Sequence, residues 1–283
     1  MMRRYLLAGA ALAWVSALLA QQQQPSVVNG GVLNSASFAK DANGLGLPVA
    51  PGSLVSIFGS FPGATGAVAD TVPFSTSLGG VSVTFDGFPA AMDAVFPTGP
   101  FPNIIVQVPI ELTRTNPNLV ITVNSVSSTP VSTPIAFAAP GIFTSPEGQG
   151  NAIFVFADPA DGIVKVAAPA SSGNLFSIPV APIPRGTSGL FYATGLGFLS
   201  PSVPDGAAGD GKTVNYAVLT PTVLVGGITA PLTYAIQAPG YVGINQLDIT
   251  IPQSAPTGNA IPLQIMTADG SFTSTAGATI AIR

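Results

Sequence analysis

The sequence predicts an all-β protein, built as two tandem immunoglobulin-like β-sandwich units behind a signal peptide. Three observations carry that expectation. Apolar and polar residues alternate at period two in many short runs. No long helical periodicity follows the N-terminal segment. One phrase is written twice, as "VAPGSLVSIFG" from Val49 to Gly59 and as "IPRGTSGLFYATG" from Ile183 to Gly195.

Composition sets the bounds. The chain has 283 residues, enough for two ordinary domains. Apolar residues make up 47%, ample for a core, and charged residues only 7%, against roughly 25% in an average globular protein. The 32 Gly and 28 Pro break up short apolar runs, which suits a turn-rich β protein. Val, Ile, Leu and Phe are too plentiful for disorder. There is no Cys and no His, which excludes thiol nucleophiles, disulfides, Cys/His zinc centres and His-dependent triads. Carboxylate and Lys chemistry stay open.

The N-terminus reads as an export signal. "MMRR" supplies positive charge, Tyr5 to Ala20 is an uncharged apolar run, and Ala20 precedes "QQQQ". The run is shorter than the ~20 residues that cross a bilayer. Residues 1–20 are therefore expected to be a Sec signal peptide cleaved after Ala20, with 21–25 a polar N-terminal segment. Cleavage leaves 6 basic and 12 acidic residues. That acidic surface repels phosphate backbones, so no nucleic-acid partner is expected. No membrane span is expected after signal removal. The expected location is secreted, extracellular or at the cell surface.

The first unit is expected over residues 26–140. "GVSVTFDG" sets Val81, Val83 and Phe85 on one face against Ser82, Thr84 and Asp86. "NLVITVNS" alternates in the same way, the mark of half-buried antiparallel strands. The second unit is expected over 141–283 and repeats the pattern. "GGVSVTFDGFPA" is echoed by "PTVLVGGITA", with Gly87 and Gly227 at the hairpin and Ala90 and Ala230 opening the return strand. "NIIVQVP" is echoed by "QLDITIP". In the doubled phrase, Gly59 and Gly195 are expected to end a strand at a turn or bulge. Pro109, Pro130, Pro134, Pro252 and Pro262 fall at expected strand ends, where a missing N–H blunts edge pairing. The join "AFAAPGIFT", Ala136 to Thr144, is short and apolar and predicts a rigid rod with an apolar contact between units.

A family resemblance rests on a run of motifs in order: "VLNSASF…VAPGSLVSIFG", "LGGVSVTFDGFPA", "IIVQVP", "AAPGIFT", "LFYATGLG", "VPDG", "VLVGGITAPLTYA", "APGYVGINQLDITIP" and "PTGNAIPL". Together they resemble a domain family of soil acidobacteria, usually described as the Solibacter uncharacterised C-terminal domain. Its units are similar to the IPT/TIG-like immunoglobulin-like fold of cell-surface proteins. The resemblance runs from about Val27 to Arg283. It departs where the family tends to read Gln-Ile-Asn before "VP"; here stand Asn103-Ile104-Ile105 and Gln246-Leu247-Asp248. The family normally ends larger secreted proteins, whereas here it makes up nearly all of the sequence. The resemblance implies a secreted, all-β chain and carries over no catalytic residue.

The candidate sites are few. Asp158 and Asp161 lie in "ADPADG", and Asp205 and Asp210 in "VPDGAAGDG". Such pairs could bind Ca²⁺ through oxygen ligands or act in glycoside hydrolysis, but Asp-Gly is also ordinary turn chemistry. They are expected to be turn residues first and Ca²⁺ ligands second. Ser188 in "GTSGL" has Leu190 where a nucleophile elbow needs Gly, and the sequence has no His to activate it. Lys165 and Lys212 are expected to be solvated. Phe143, Phe154, Phe156, Phe191, Tyr192, Phe198, Tyr216, Tyr234 and Tyr241 gather in the second unit. Most are expected in the core, with Tyr241, in the turn "APGYVG", the exposed ligand-binding candidate.

The expected function is a secreted, non-enzymatic binding, adhesion or structural module of the cell exterior. Its partner would be an extracellular protein or glycan, met by end loops or an edge strand. No cofactor is expected beyond a possible Ca²⁺. The alternatives are a carbohydrate-binding accessory module and, less favoured, a secreted Asp/Glu hydrolase.

Overall fold

A computed structural model describes residues 23–274 and 277–283. The expected signal peptide lies outside them. No helix among the described residues is long and apolar enough to cross a membrane.

Alternating residues fold as strands that close two sandwiches. In the first, one sheet runs Ser26–Asn34, Leu54–Ser60, Asn103–Gln107, Ala91–Phe96, then the short Ala67–Val68. The facing sheet runs Val131–Ser132, Asn118–Val123, Val81–Phe85, Phe88–Pro89. Leaving Ala67–Val68 and Phe88–Pro89 aside, the sequence order is A-B-E-D against G-F-C, the strand order of an immunoglobulin sandwich. The second sandwich repeats it. Phe154–Ala157, Ser188–Thr194, Asn245–Thr250 and Leu232–Gln237 form one sheet, extended by Tyr216–Ala217 and Leu199–Ser200. Ala278–Ile282, Gly258–Met266, Thr222–Val225 and Ile228–Ala230 form the core of the other. The short strand Gly150–Ala152 joins that sheet parallel to Ala278–Ile282.

Period two does the sorting. Val81, Val83 and Phe85 are buried, as are Leu247, Ile249 and Ile251. Among the described residues the buried apolar side chains form two clusters, one per sandwich. Ile57, Phe85, Ile104 and Ile121 belong to the first. Phe154, Phe191, Leu247 and Ile265 belong to the second.

The doubled phrase has one structural meaning. Val49 forms a parallel bridge to Ile135, and Ile183 forms a parallel bridge to Ile282. Three residues on, Gly52 and Gly186 both adopt φ 76. The chain then enters the central strand, where Ile57 and Phe191 occupy matching buried places. Gly59 and Gly195 are not counterparts, contrary to the sequence reading. Gly59 lies inside Leu54–Ser60 opposite Val27, whereas Gly195 follows its strand at φ 94. Equal spacing from the bridge makes Ala193 the partner of Gly59. Pro262 also departs from expectation, because it sits within Gly258–Met266. Its carbonyl stays in use, accepting from Gly226 N at 2.8 Å.

The two sandwiches meet through a contact that is more polar than the apolar join suggests. At the join, Asn34 Nδ2 donates to Ala139 O at 3.0 Å, and Ala139 N donates to Gly195 O of the second sandwich at 2.8 Å. Leu54 N donates to Thr194 Oγ1 at 2.9 Å, and that hydroxyl donates to Gly243 O at 2.6 Å. Gly206 N donates to Gln107 Oε1 at 2.7 Å, and Phe74 N to Gly206 O at 2.8 Å. Thr194, Gln107 and Asn34 are all buried. A Cβ at Gly141 would press on the buried Asn34 amide, so a larger residue there must displace the side chain that bonds Ala139. Phe137 and Phe198 add an edge-to-face pair at 5.1 Å. The strands explain this polarity. Their ends carry unpaired backbone groups, which need partners once buried.

Candidate ligand-binding face

Of the five tyrosines, one is Tyr5 in the N-terminal segment; the other four are Tyr192, Tyr216, Tyr234 and Tyr241. All four are on the outer side of one sheet of the second sandwich. Strand alternation puts three of them there and a turn places the fourth. In "GLFYAT", Phe191 turns inward and stacks on Phe154 at 5.8 Å, so Leu190 and Tyr192 must turn outward. In "NQLDIT", Leu247 and Ile249 are buried while Gln246 and Asp248 face out. In "LTYAIQ", Ala235 is buried and Tyr234 and Ile236 face out. Tyr241 extends from a Pro-Gly turn closed by its N–H on Ala238 O at 3.2 Å, and is 53% exposed.

Register aligns these residues across the sheet. Tyr192 is opposite Gln246, Gln246 opposite Ile236, and Ile236 opposite Tyr216. The next row runs Leu190, Asp248, Tyr234. With neighbouring strands about 4.8 Å apart, Tyr192 and Tyr216 stand about 14 Å from one another. The rings pair at both ends. The Tyr192 and Tyr241 rings lie 6.1 Å apart, and the Tyr216 and Tyr234 rings lie 6.3 Å apart, inclined at 28°. Between the pairs, Gln246 Nε2 donates to Asp248 Oδ1 at 2.8 Å.

Two adjoining depressions shape the face, each of about 460 Å³. One is lined by Phe143, Phe176, Ile178, Tyr192 and Tyr241 among others. The other includes Leu190, Thr233 and Asp248. Val155 and Val164 line both. The Tyr192 hydroxyl is pushed above the usual phenol value, first by burial, then by Tyr241 and the Asp248 carboxylate. Its phenol therefore stays protonated and able to donate.

The aspartates go elsewhere. Asp158 is buried, and Lys165 Nζ donates to its Oδ2 at 3.0 Å. The same ammonium donates to Asp161 Oδ2 at 2.7 Å. Arg283 Nη2 donates to Asp158 Oδ1 at 2.9 Å. The place a calcium ion would take between these carboxylates is held by a lysine, so Lys165 is not the solvated side chain the sequence suggests. Asp158 titrates below the usual carboxylate range, held there first by the Ala160 N–H and then by Lys165.

Asp210 closes its own turn. It accepts from Lys212 N at 2.8 Å and Thr213 N at 2.7 Å, and these bonds hold its carboxyl below the ordinary value. Asp205 is instead at the contact between sandwiches, accepting from Ile110 N at 3.2 Å. Burial, and then the Glu111 carboxyl beside it, push Asp205 up to about 7. Asp205 and Asp210 thus serve different partners and are not drawn into one cage. Ser188 shares a hydroxyl hydrogen bond with Thr250 at 2.8 Å.

Tyr192, Tyr216, Tyr234, Gln246 and Asp248 are absent from the residues that sequence reasoning singles out as a binding site. The signal was present. Each lies one residue from a core position in an alternating strand, and that offset sends it outward.

No family model matches the chain, and no curated protein matches it. Among solved structures, one similar chain is the surface glycan-binding protein PbSGBP-B from Prevotella bryantii, at 13% identity and a TM-score of 0.26, covering 89% of this chain and 41% of that one. Another is the I9–I11 tandem from titin, at 11% identity and a TM-score of 0.22, covering 92% of this chain and 66% of that one. This chain thus spans less than half of the first. Overlays this loose carry no argument about ligand or role, and the fold rests on the strand order described above.

Proposed function

We propose that this chain is a non-enzymatic binding module of the cell exterior, with the tyrosine-bearing face of the second sandwich as its recognition surface. One observation carries the reading: all four tyrosines of residues 21–283 gather on a single outward sheet face, in two ring pairs. Tyrosine offers a large contact area at low cost in side-chain entropy, which suits a rigid recognition surface. The first sandwich, which has no tyrosine, acts as a spacer fixed to it by buried hydrogen bonds. The export signal read in residues 1–20 and the scarcity of charge suit an extracellular setting.

The test compares retention of purified residues 21–283 on immobilised cell-envelope material with retention of a Tyr192→Ala/Tyr234→Ala variant. Tyr234 is exposed and Tyr192 half-buried on the outer face, outside the core cluster, so the melting temperature should stay within a few degrees. Retention should fall about tenfold or more, the effect of about 1.4 kcal/mol. Equal retention would remove this face as the recognition surface.

A further inference from the structure

We infer that the ligand of this face is a neutral polysaccharide chain lying across the strands, from the Tyr192–Tyr241 pair to the Tyr216–Tyr234 pair. The inference rests on reading this face as the recognition surface, and adds the class of ligand.

Four features of the face lead there. The ring pairs set aromatic rings, each with weakly negative π faces, at both ends of one register row. Such faces attract the polarised C–H groups of a pyranose as well as ordinary apolar groups. Between the pairs the row turns polar. Gln246 spends its amide N–H on Asp248 Oδ1, and Asp248 Oδ2 takes no hydrogen bond from the described residues. A free carboxylate oxygen between aromatic rings calls for a ligand rich in hydroxyl donors. A purely apolar ligand would cover that charge without compensation.

Charge narrows the class further. Asp248 is the one ionised group among the residues of these rows, and no Lys or Arg lines either depression. Uronate chains, sulfated glycans and nucleic acids would meet like charge with no counter-cation. A neutral sugar chain satisfies the aromatic ends, the acceptor centre and the charge together. The length of the row, about 14 Å across three strand spacings, suits an oligosaccharide rather than a single sugar.

The chain carries its own reporter for the test. Its one Trp is Trp14, in the expected signal peptide, so tyrosine emission from residues 21–283 arises from this face alone. The experiment titrates residues 21–283 with soluble neutral polysaccharides, namely mixed-linkage β-glucan, xyloglucan, galactomannan and arabinoxylan, and with anionic polygalacturonate and alginate. Tyrosine emission and retardation in polysaccharide-containing native gels are the readouts.

At least one neutral polymer should give a saturable change, and both anionic polymers none. Tyr192→Ala and Tyr234→Ala should each weaken that binding about tenfold or more, and Asp248→Ala should weaken it with an unchanged melting temperature. The inference is overturned if no neutral polymer binds, if an anionic polymer binds better, or if both tyrosine variants bind as well as the parent. The wider reading has its own outcome. Envelope retention that depends on the tyrosines yet survives periodate oxidation of the envelope would keep the face as a recognition surface and make its partner a protein. Sedimentation showing tyrosine-dependent self-association would make the occupant a second copy, again overturning the sugar inference.

Discussion

Lys165 holds two carboxylates at once, Asp158 at 3.0 Å and Asp161 at 2.7 Å, and Asp158 also receives Arg283 from the last position of the chain. A cluster this crowded with opposite charges should be visible in acid unfolding. The folded pKa of Asp158 lies below its ordinary value of 3.8. Its stabilisation is therefore complete above that value and is lost as pH falls through the lower, folded one. Thermal unfolding of Lys165→Met should show a smaller drop below about pH 4 than the parent protein shows. Identical acid profiles would mean that the lysine does not hold Asp158 down. At this scale the sequence was only half legible. "ADPADG" announces a turn, and the structure has one, with Gly162 N and Asp161 N both donating to Asp158 O. Nothing local announces Arg283, which lies 125 residues away and arrives only when the final strand closes the sheet.

Strands and hairpins were the most legible features, because each depends on contacts within a few residues. "TFDGFP" and "LVGGIT" both form two-residue hairpins, with Phe85 opposite Phe88 and Val225 opposite Ile228. Both central residues have positive φ in each hairpin, 46 and 88 for Asp86 and Gly87, 58 and 81 for Gly226 and Gly227. Gly87→Ala should cost about 1–2 kcal/mol by the left-handed backbone penalty, measured by chemical denaturation. Asp86→Gly reproduces the sequence of the second hairpin and should cost less. The inward residues of these elements are less forgiving. Phe191→Ala empties a fully buried site stacked on Phe154 and should cost about 3–5 kcal/mol. A loss under 1 kcal/mol would mean that the core repacks around the gap. The tyrosines show the limit of reading elements one at a time. Alternation sends three of them outward, but only the pairing order of four strands, with the turn that carries Tyr241, brings them into one field.

Across the whole molecule, the short join foreshadows a close contact, though not its polarity, because the groups that meet there come from strand ends far apart in sequence. Asp205 makes that contact sensitive to pH. Its folded value, raised to about 7, means that its contribution is complete below the ordinary 3.8 and is lost as pH rises through about 7. Calorimetry should show thermal stability falling between about pH 4 and 8, and Asp205→Asn should flatten that slope. Proteolysis at residues 136–144 should stay slow near pH 5 and quicken above pH 7; equal rates would separate Asp205 from the contact. Gly150–Ala152 pairs parallel with Ala278–Ile282, and these strands lie near the two ends of the second sandwich. Tension applied between those ends pulls antiparallel neighbours apart one bond at a time, but it loads parallel terminal strands in shear, so that their hydrogen bonds must break together. The pairing that completes the sheet thus also equips it to bear a pulling force along the chain.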